Sequence, residues 1–419
     1  MSEEGTLSDA AVPPPPRKRR LQHDAGGADA GPPAGALPPP SNPGELWRWP
    51  TRFGYRLQYN LFQINFFAEL ISKLLETVHT VSDFSGLGAP ELAAHQILAY
   101  CQRQVWPDQE LEWRFGRASD FSKVCRRALA LHAPSPTAPA CIMGNQMDRI
   151  PKALLEQVRS LYDEGTQKAK DLIAADPGQR SSKDIYNSIG KDVFAAAANL
   201  FLEKVSVAIA GAEQVACASA DVMHVLSDGV LKQTAYCYTH KQHCPISGAS
   251  TSGCGLRGCV AGVLCYDWSS RGLKRGLLAF QSSILLIIWM CERLLYQEDW
   301  CIVECVPAFD HRVFKYIAHV YELQYVIVCS SLFGAASTRK RKLMFLLKRS
   351  ALRWHAAVTE NIQEAFEHLF MIPAVFNSEI YFSAPKKAVR AHIERHFKNF
   401  VCSPTTNIEH QQRSHAITT

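Results

Sequence analysis

Several stretches of this sequence carry side chains whose types and spacing could do chemistry. In Arg257-Gly-Cys-Val-Ala-Gly-Val-Leu-Cys-Tyr-Asp-Trp-Ser-Ser-Arg-Gly, a strand-like run ends at Cys265 and gives way to a polar loop rich in Ser and Gly. A thiol at such a strand end is open to substrate, and Arg271, Lys274 and Arg275 bring the kind of positive charge that favours a nucleophilic thiolate. Standing alone, the same cysteine reads more readily as a small buried hydrophobe. In Trp300-Cys-Ile-Val-Glu-Cys-Val-Pro, Glu304 ends an apolar strand, where a carboxylate half-removed from water can share a proton with a ring nitrogen. Arg339 and Arg341 sit in Gly334-Ala-Ala-Ser-Thr-Arg-Lys-Arg-Lys, a basic turn feeding a strand; guanidinium groups there suit phosphate or a base, or form a solvated sheet edge.

Two further groups are candidates for binding rather than reaction. Val81-Ser-Asp-Phe-Ser-Gly-Leu-Gly-Ala-Pro-Glu-Leu places Gly86 and Gly88 between a strand and a helix, where backbone N–H groups can approach a nucleotide or carboxylate. By itself the pattern is also that of a tight turn. Tyr236-Cys-Tyr-Thr-His-Lys-Gln-His-Cys gathers Cys237, His240, His243 and Cys244, with Cys254 and Cys259 further on. Tetrahedral zinc takes such nitrogen and sulfur sets, although the spacing repeats no Cys-x-x-Cys pair. The alternative is an exposed loop of unliganded thiols and imidazoles.

The elements that must position these groups are legible as apolar patterns. Residues 60–77 show helical spacing and lead into an apolar run ending at Asp83; further strands are predicted at Glu112–Ala118, Ala140–Gly144, Gly258–Leu264, Trp300–Val306, Gln324–Cys329 and Lys342–Leu347. Strands alternating with helices predict an α/β fold with a mostly parallel sheet covered on both faces and ligands at the carboxyl ends of its strands. The helical run 153–174 and the Ser182 start signal predict an inserted helical subdomain. Leu277 to Leu295 is the most apolar stretch; with Gln281, Ser282 and Ser283 in it, it reads as a buried helix and not a membrane span.

The organisation expected is a Pro/Gly/Ala-rich basic tail over 1–45, the first part of the catalytic domain with its glycine loop over 46–149, the helical insertion over 150–235, the catalytic part over 236–350 and a short segment over 351–419. Arg17-Lys-Arg-Arg in the tail matches a nuclear-import signal, a phosphate-contacting arm or a solvated charge run, so a nuclear or cytoplasmic location is expected. At 419 residues, 47% hydrophobic and 20% charged, the chain can bury a large core, and a net charge of +6 favours an anionic partner only weakly. Fourteen irregularly spaced cysteines argue for reduced thiols, a metal site or a nucleophile and against a disulfide framework.

Taken in order, the glycine loop, the cysteine loop, the acid and the arginines resemble the motifs of the cytosine-5 DNA methyltransferase family. Phe84, Ser85, Gly86 and Gly88 match its Phe, small residue, Gly, any residue, Gly; Cys265 with Trp268 and Ser269 matches its Pro-Cys loop; Glu304-Cys305-Val306 matches its Glu-Asn-Val; Arg339 and Arg341 match its Gln-x-Arg-x-Arg. The chain departs from that pattern at Ala89, Leu264, Cys305 and Ser337, and the family's last motifs are not found after Arg349. The resemblance implies a Rossmann-like sheet that binds S-adenosyl-L-methionine, with Asp120 on the ribose and Asn145 at the adenine. It also implies DNA as the partner, RNA less so, with a flipped cytosine attacked at C6 by Cys265, held at N3 by Glu304 and steadied by Arg339 and Arg341. A relative that binds nucleic acid without catalysis, and a transfer-RNA enzyme, are the alternatives.

Overall fold

In the computed structural model, residues 78–105, 112–175, 181–214, 229–247, 255–269, 274–332, 338–354 and 361–371 are described. The tail, the predicted helix over 60–77, Cys254, Arg271 and Ser337 lie outside the described residues. The first strand, β1 (Val78–Asp83), turns through the glycine loop into α1 (Ala89–Tyr100). Then come β2 (Trp113–Ser119), α2 (Lys123–Leu131), β3 (Pro139–Met143), the long helices α3 (Lys152–Ala175) and α4 (Ser182–Gln214), and a hairpin of β4 (Thr234–Cys237) and β5 (Gln242–Pro245). The chain continues through β6 (Leu256–Gly262), α5 (Phe280–Tyr296), β7 (Trp300–Cys305), β8 (Tyr321–Cys329), β9 (Lys340–Lys348) and α6 (Ile362–Phe370).

These strands form one nine-stranded sheet in the order β5-β4-β3-β2-β1-β6-β7-β9-β8. Strands β3, β2, β1, β6 and β7 are parallel, whereas β9 runs antiparallel between β7 and β8, and the β4–β5 hairpin closes the other edge. The chain leaves β1 toward β2 and β3, then returns to its other side for β6 and β7, so the strand order reverses at β1/β6. In open sheets of this kind that reversal opens a crevice at the carboxyl ends of the strands. The expected α/β architecture is therefore what folds, and each predicted strand falls within three residues of an observed one. The β4–β5 hairpin was not expected: the segment read as a loop of thiols and imidazoles is two four-residue strands, too short to show alternation.

One core joins the sheet, α3, α4 and α5. Helix α5 is apolar on nearly all sides, with every residue from Ser282 to Leu294 buried, as the pattern from Leu277 to Leu295 predicted. No helix of the described residues is long and apolar enough to cross a membrane. Inside this core lies a group of charges that the strand patterns did not reveal. Arg117 of β2 reaches Asp83 at the end of β1 and Glu292 of α5, both at 3.1 Å. Arg149 pairs with Glu292, and Arg293 lies 3.4 Å from Asp83, 3.3 Å from Glu292 and 3.2 Å from Glu298. All six side chains are almost wholly buried, so each charge depends on the others for solvation. Burial alone would raise the Asp83 pKa, but the guanidinium groups of Arg117, Arg293 and Arg149 hold it below the usual carboxylate range.

Candidate active site at the carboxyl edge of the sheet

The glycine loop begins where β1 ends. Phe84, Gly86 and Gly88 have φ of 54°, 57° and 88°, a run of left-handed conformations that reverses the chain sharply. At Gly88 a Cβ would come within 2.7 Å of His132 Nε2, so glycine there also permits α2 to pack against the loop. The loop is tied to the end of β2: the Ser85 N–H donates to the Ser119 carbonyl at 3.0 Å and the Ser119 N–H donates to Ser85 Oγ at 3.2 Å. Asp120, one residue beyond β2, accepts the Gly86 N–H at 2.9 Å and the Ser122 N–H at 2.8 Å. Ser82 Oγ donates to the carboxyl group of Glu91, which burial holds above its ordinary pKa. Ala118 is buried within β2, and Asp120, expected to face a ribose, is the residue that reaches the loop.

A narrow cleft beside this loop is lined by Phe84, Ser119, Asp120, Phe121, Asn145 and Gln146, among others. Its free volume is about 10 Å³, room for roughly one water molecule. Asn145 caps the turn that follows β3, its Oδ1 accepting the Met147 N–H at 3.1 Å. The neighbouring Gln146 amide is buried beside Asp83, where its hydrogen bond helps to hold that carboxyl group's pKa down. Phe121 is 63% exposed. Two aromatic rings, the Asp120 carboxylate and the Asn145 and Gln146 amides are the kinds of group that suit an adenosine moiety, which needs more room than this cleft has.

The reactive side of the edge lies across β1/β6. Cys265 follows β6 by three residues, and its carbonyl accepts the N–H groups of Trp268 (3.1 Å) and Ser269 (2.9 Å), folding the loop into a tight turn. The thiol is partly exposed. Trp268 stacks edge-on against Phe309 at 5.0 Å, and buried Asp267 accepts Ser282 Oγ at 2.5 Å, so the loop is anchored despite Leu264 standing where the family has proline. Arg275, expected to bring charge toward Cys265, instead pairs with Asp267 at 3.3 Å. Glu304 forms an ion pair with Arg341, whose strand β9 starts at the same edge because it runs antiparallel. Arg339 is not brought into this group; it is exposed, with its N–H on Ser330 Oγ at 3.2 Å. Lys342 points the other way, buried with Nζ donating to the Phe309 carbonyl at 2.7 Å, and burial lowers its pKa. Cys305 is buried behind Glu304, a packing residue whose thiol burial pushes well up.

Gly262 connects the two sides. It pairs in register with Glu304, and a Cβ on it would lie 3.3 Å from the Phe84 carbonyl and 3.9 Å from Glu304 Oε2. The glycine loop, the strand that leads to Cys265 and the acid therefore meet around a single backbone position.

The Cys/His cluster needs correction. Cys237, His240 and Cys244 do come together, but their fourth partner is Cys141 of β3, and the four ligand atoms lie within 4.8 Å of one another. His243 is not part of the group: it precedes Cys244 on β5, so its side chain leaves the opposite face of the strand, where it meets the Tyr236 ring at 6.3 Å. Cys259 is also elsewhere, in the core beside Asp83 and Arg293.

No protein-family model matches the chain, and no curated protein matches it in sequence. Among solved structures it is similar to a DNA modification methyltransferase encoded within an E. coli prophage, with 11% identity over 74% of this chain and a TM-score of 0.28. It is also similar to a mutant of DNMT2 from Spodoptera frugiperda, with 11% identity over 66% of this chain and a TM-score of 0.26. The chain spans about half the length of these structures, 56% and 51%. At that similarity neither neighbour's activity transfers to this chain.

Proposed function

We propose that this protein methylates cytosine at C5 in DNA, using Cys265 as the covalent nucleophile. The observation that carries the reading is the meeting at Gly262 of the Phe84 loop, the strand leading to Cys265 and the Glu304 carboxylate. When bound, S-adenosyl-L-methionine would supply the methyl group. The residues fit it: Phe84, Ser85, Gly86, Gly88, Asp120, Asn145 and Gln146 line or shape the cleft that would hold it.

On the other side, the Cys265 thiolate adds to C6 of a cytosine turned out of its helix, and the electron pair of the C5=C6 bond moves into the ring. Glu304 shares a proton with N3 and so takes up the charge that develops there. Arg341 fixes the Glu304 carboxylate, and its donors hold the O2 side of the base; exposed Arg339 serves the phosphate backbone. Once C5 has taken the methyl group, water takes the C5 proton, the C5–H electron pair re-forms the C5=C6 bond, and the sulfur leaves as thiolate.

A second reading is favoured by one observation. The cleft holds roughly one water and both Asp120 oxygens already accept backbone N–H groups, which suits a nucleic-acid-binding protein that kept the sheet without the reaction. Transfer of labelled methyl from S-adenosyl-L-methionine to DNA and to transfer RNA, comparing the intact chain with Cys265→Ala, separates the two. Transfer to DNA that the substitution abolishes supports the enzyme, and transfer to RNA alone changes its substrate. Folded full-length protein that binds DNA and transfers nothing would leave the binding reading.

A further inference from the structure

We infer that Cys141, Cys237, His240 and Cys244 form a structural zinc site that clamps the β4–β5 hairpin onto the edge of the sheet, independently of any methyl transfer. The three sulfurs surround one atom, His240 Nδ1, at 3.6 Å from Cys141, 3.4 Å from Cys237 and 3.4 Å from Cys244. An imidazole nitrogen has at most one lone pair or one proton to offer, so hydrogen bonding cannot account for three thiols at that range. A tetrahedral ion can. With Zn–S near 2.3 Å and Zn–N near 2.0–2.1 Å, sulfur and nitrogen ligands lie about 3.6 Å apart, which is the spacing found. The His240 backbone N–H also points at Cys237 Sγ, 3.5 Å away, as a thiolate ligand in a tight turn requires. Cys237 and Cys244 are buried and Cys141 is partly so, while His240 is exposed and closes the site from the solvent side.

The position explains why a clamp is needed. Strands β3 and β4 share one ladder pair, Met143 with Cys237, supplemented by the Tyr238 N–H on the Ile142 carbonyl at 2.7 Å. The apolar cluster beneath has only Met143, Cys237, Cys244 and Ile246 fully buried. An ion bound by one residue of β3 and three of the hairpin supplies the missing attachment, much as a disulfide would, but with reduced thiols. It also places Tyr238 against Gly144, where a Cβ would be 3.3 Å from the ring, so the clamp holds the residue that adjoins Asn145 in the cleft.

Metal analysis of the full-length protein purified without chelator should find one zinc per chain. Replacement by cobalt should give the visible bands of a tetrahedral site and the ultraviolet bands of thiolate ligation. Cys141→Ser should lose the zinc, and His243→Ala should keep it. Should Cys141→Ser fail to fold, thiol counting on the wild type decides instead: three cysteines should become reactive only after a strong chelator is added. Folded protein without zinc that does not take up cobalt, full zinc in Cys141→Ser, or a disulfide joining Cys237 to Cys244 would each overturn the assignment.

Discussion

The two halves of the sheet's carboxyl edge are held in place by different means. On the β1–β2–β3 side the main polar groups bind the protein itself: Asp120 holds Gly86 and Ser122, Asn145 caps its own turn, and the buried Asp83–Arg117–Glu292 pairs lie behind. On the β6–β7–β9 side Cys265 is partly exposed, and Glu304, 39% exposed, meets one guanidinium. The first half spends its polar groups on shape, while the second keeps them where a substrate can reach. Substitutions in the first half should therefore act first on stability and on cofactor binding, and those in the second on the reaction itself.

The largest effect should come from Arg117→Ala, which leaves Asp83 and Glu292 buried with fewer counter-charges. Removing one member of such a group costs about 3–5 kcal/mol. Urea unfolding should show it, and a loss below about 1 kcal/mol would mean that the network is replaceable by packing. Glu304→Gln should lower methyl transfer by about 10²–10⁴-fold with an unchanged unfolding midpoint; unchanged transfer would remove the acid from the proposed reaction.

The same contrast governs what could be read from the sequence. The strands were legible because the parallel ones are continuous apolar runs, and the long helices because their periodicity extends over many turns. Gly86, Gly88, Cys265 and Glu304 stood out in the sequence because they follow or end strands, Asp120 and Arg341 through the resemblance, and the antiparallel course of β9 is what brings Arg341 to Glu304. Cys141 was not legible as a ligand: it lies 99 positions from His240, and only the sheet brings it there. His243 was misassigned because proximity in sequence ignores the alternation of a strand. The buried charges had one sequence signal, the Glu292-Arg293 pair inside the most apolar stretch of the chain, and polar groups there must be paired.

Smaller effects sharpen the comparison. Gly88→Ala should cost about 1–2 kcal/mol from its left-handed backbone, plus the clash with His132; Gly86→Ala, with nothing within 4 Å of the new methyl, should cost less. Thermal midpoints would rank the two. The pH dependence should show both signs. Burial raises the Glu91 pKa, so the folded chain takes up that proton first and stability rises as pH falls through its folded value toward 4.5. Asp83 is held below its ordinary 3.8, so its contribution is complete above that value and is lost as pH falls further. Burial raises the Glu298 pKa too, with the same sign, so denaturant midpoints against pH should pass through a shallow maximum, and Glu91→Gln should reduce the rise while leaving the acid loss.

The burial of α5 on nearly every side has a consequence for how the chain can be cut. Part of its covering is α4, through Phe194, Ala197, Ala198, Phe201 and Val205 in the shared core. The segment between β3 and β4 therefore resembles an inserted cassette in chain order only. A shortened chain without 152–214 would present a water-insoluble rod carrying Glu292 and Arg293, and the product expected on expression is inclusion bodies rather than a smaller soluble domain.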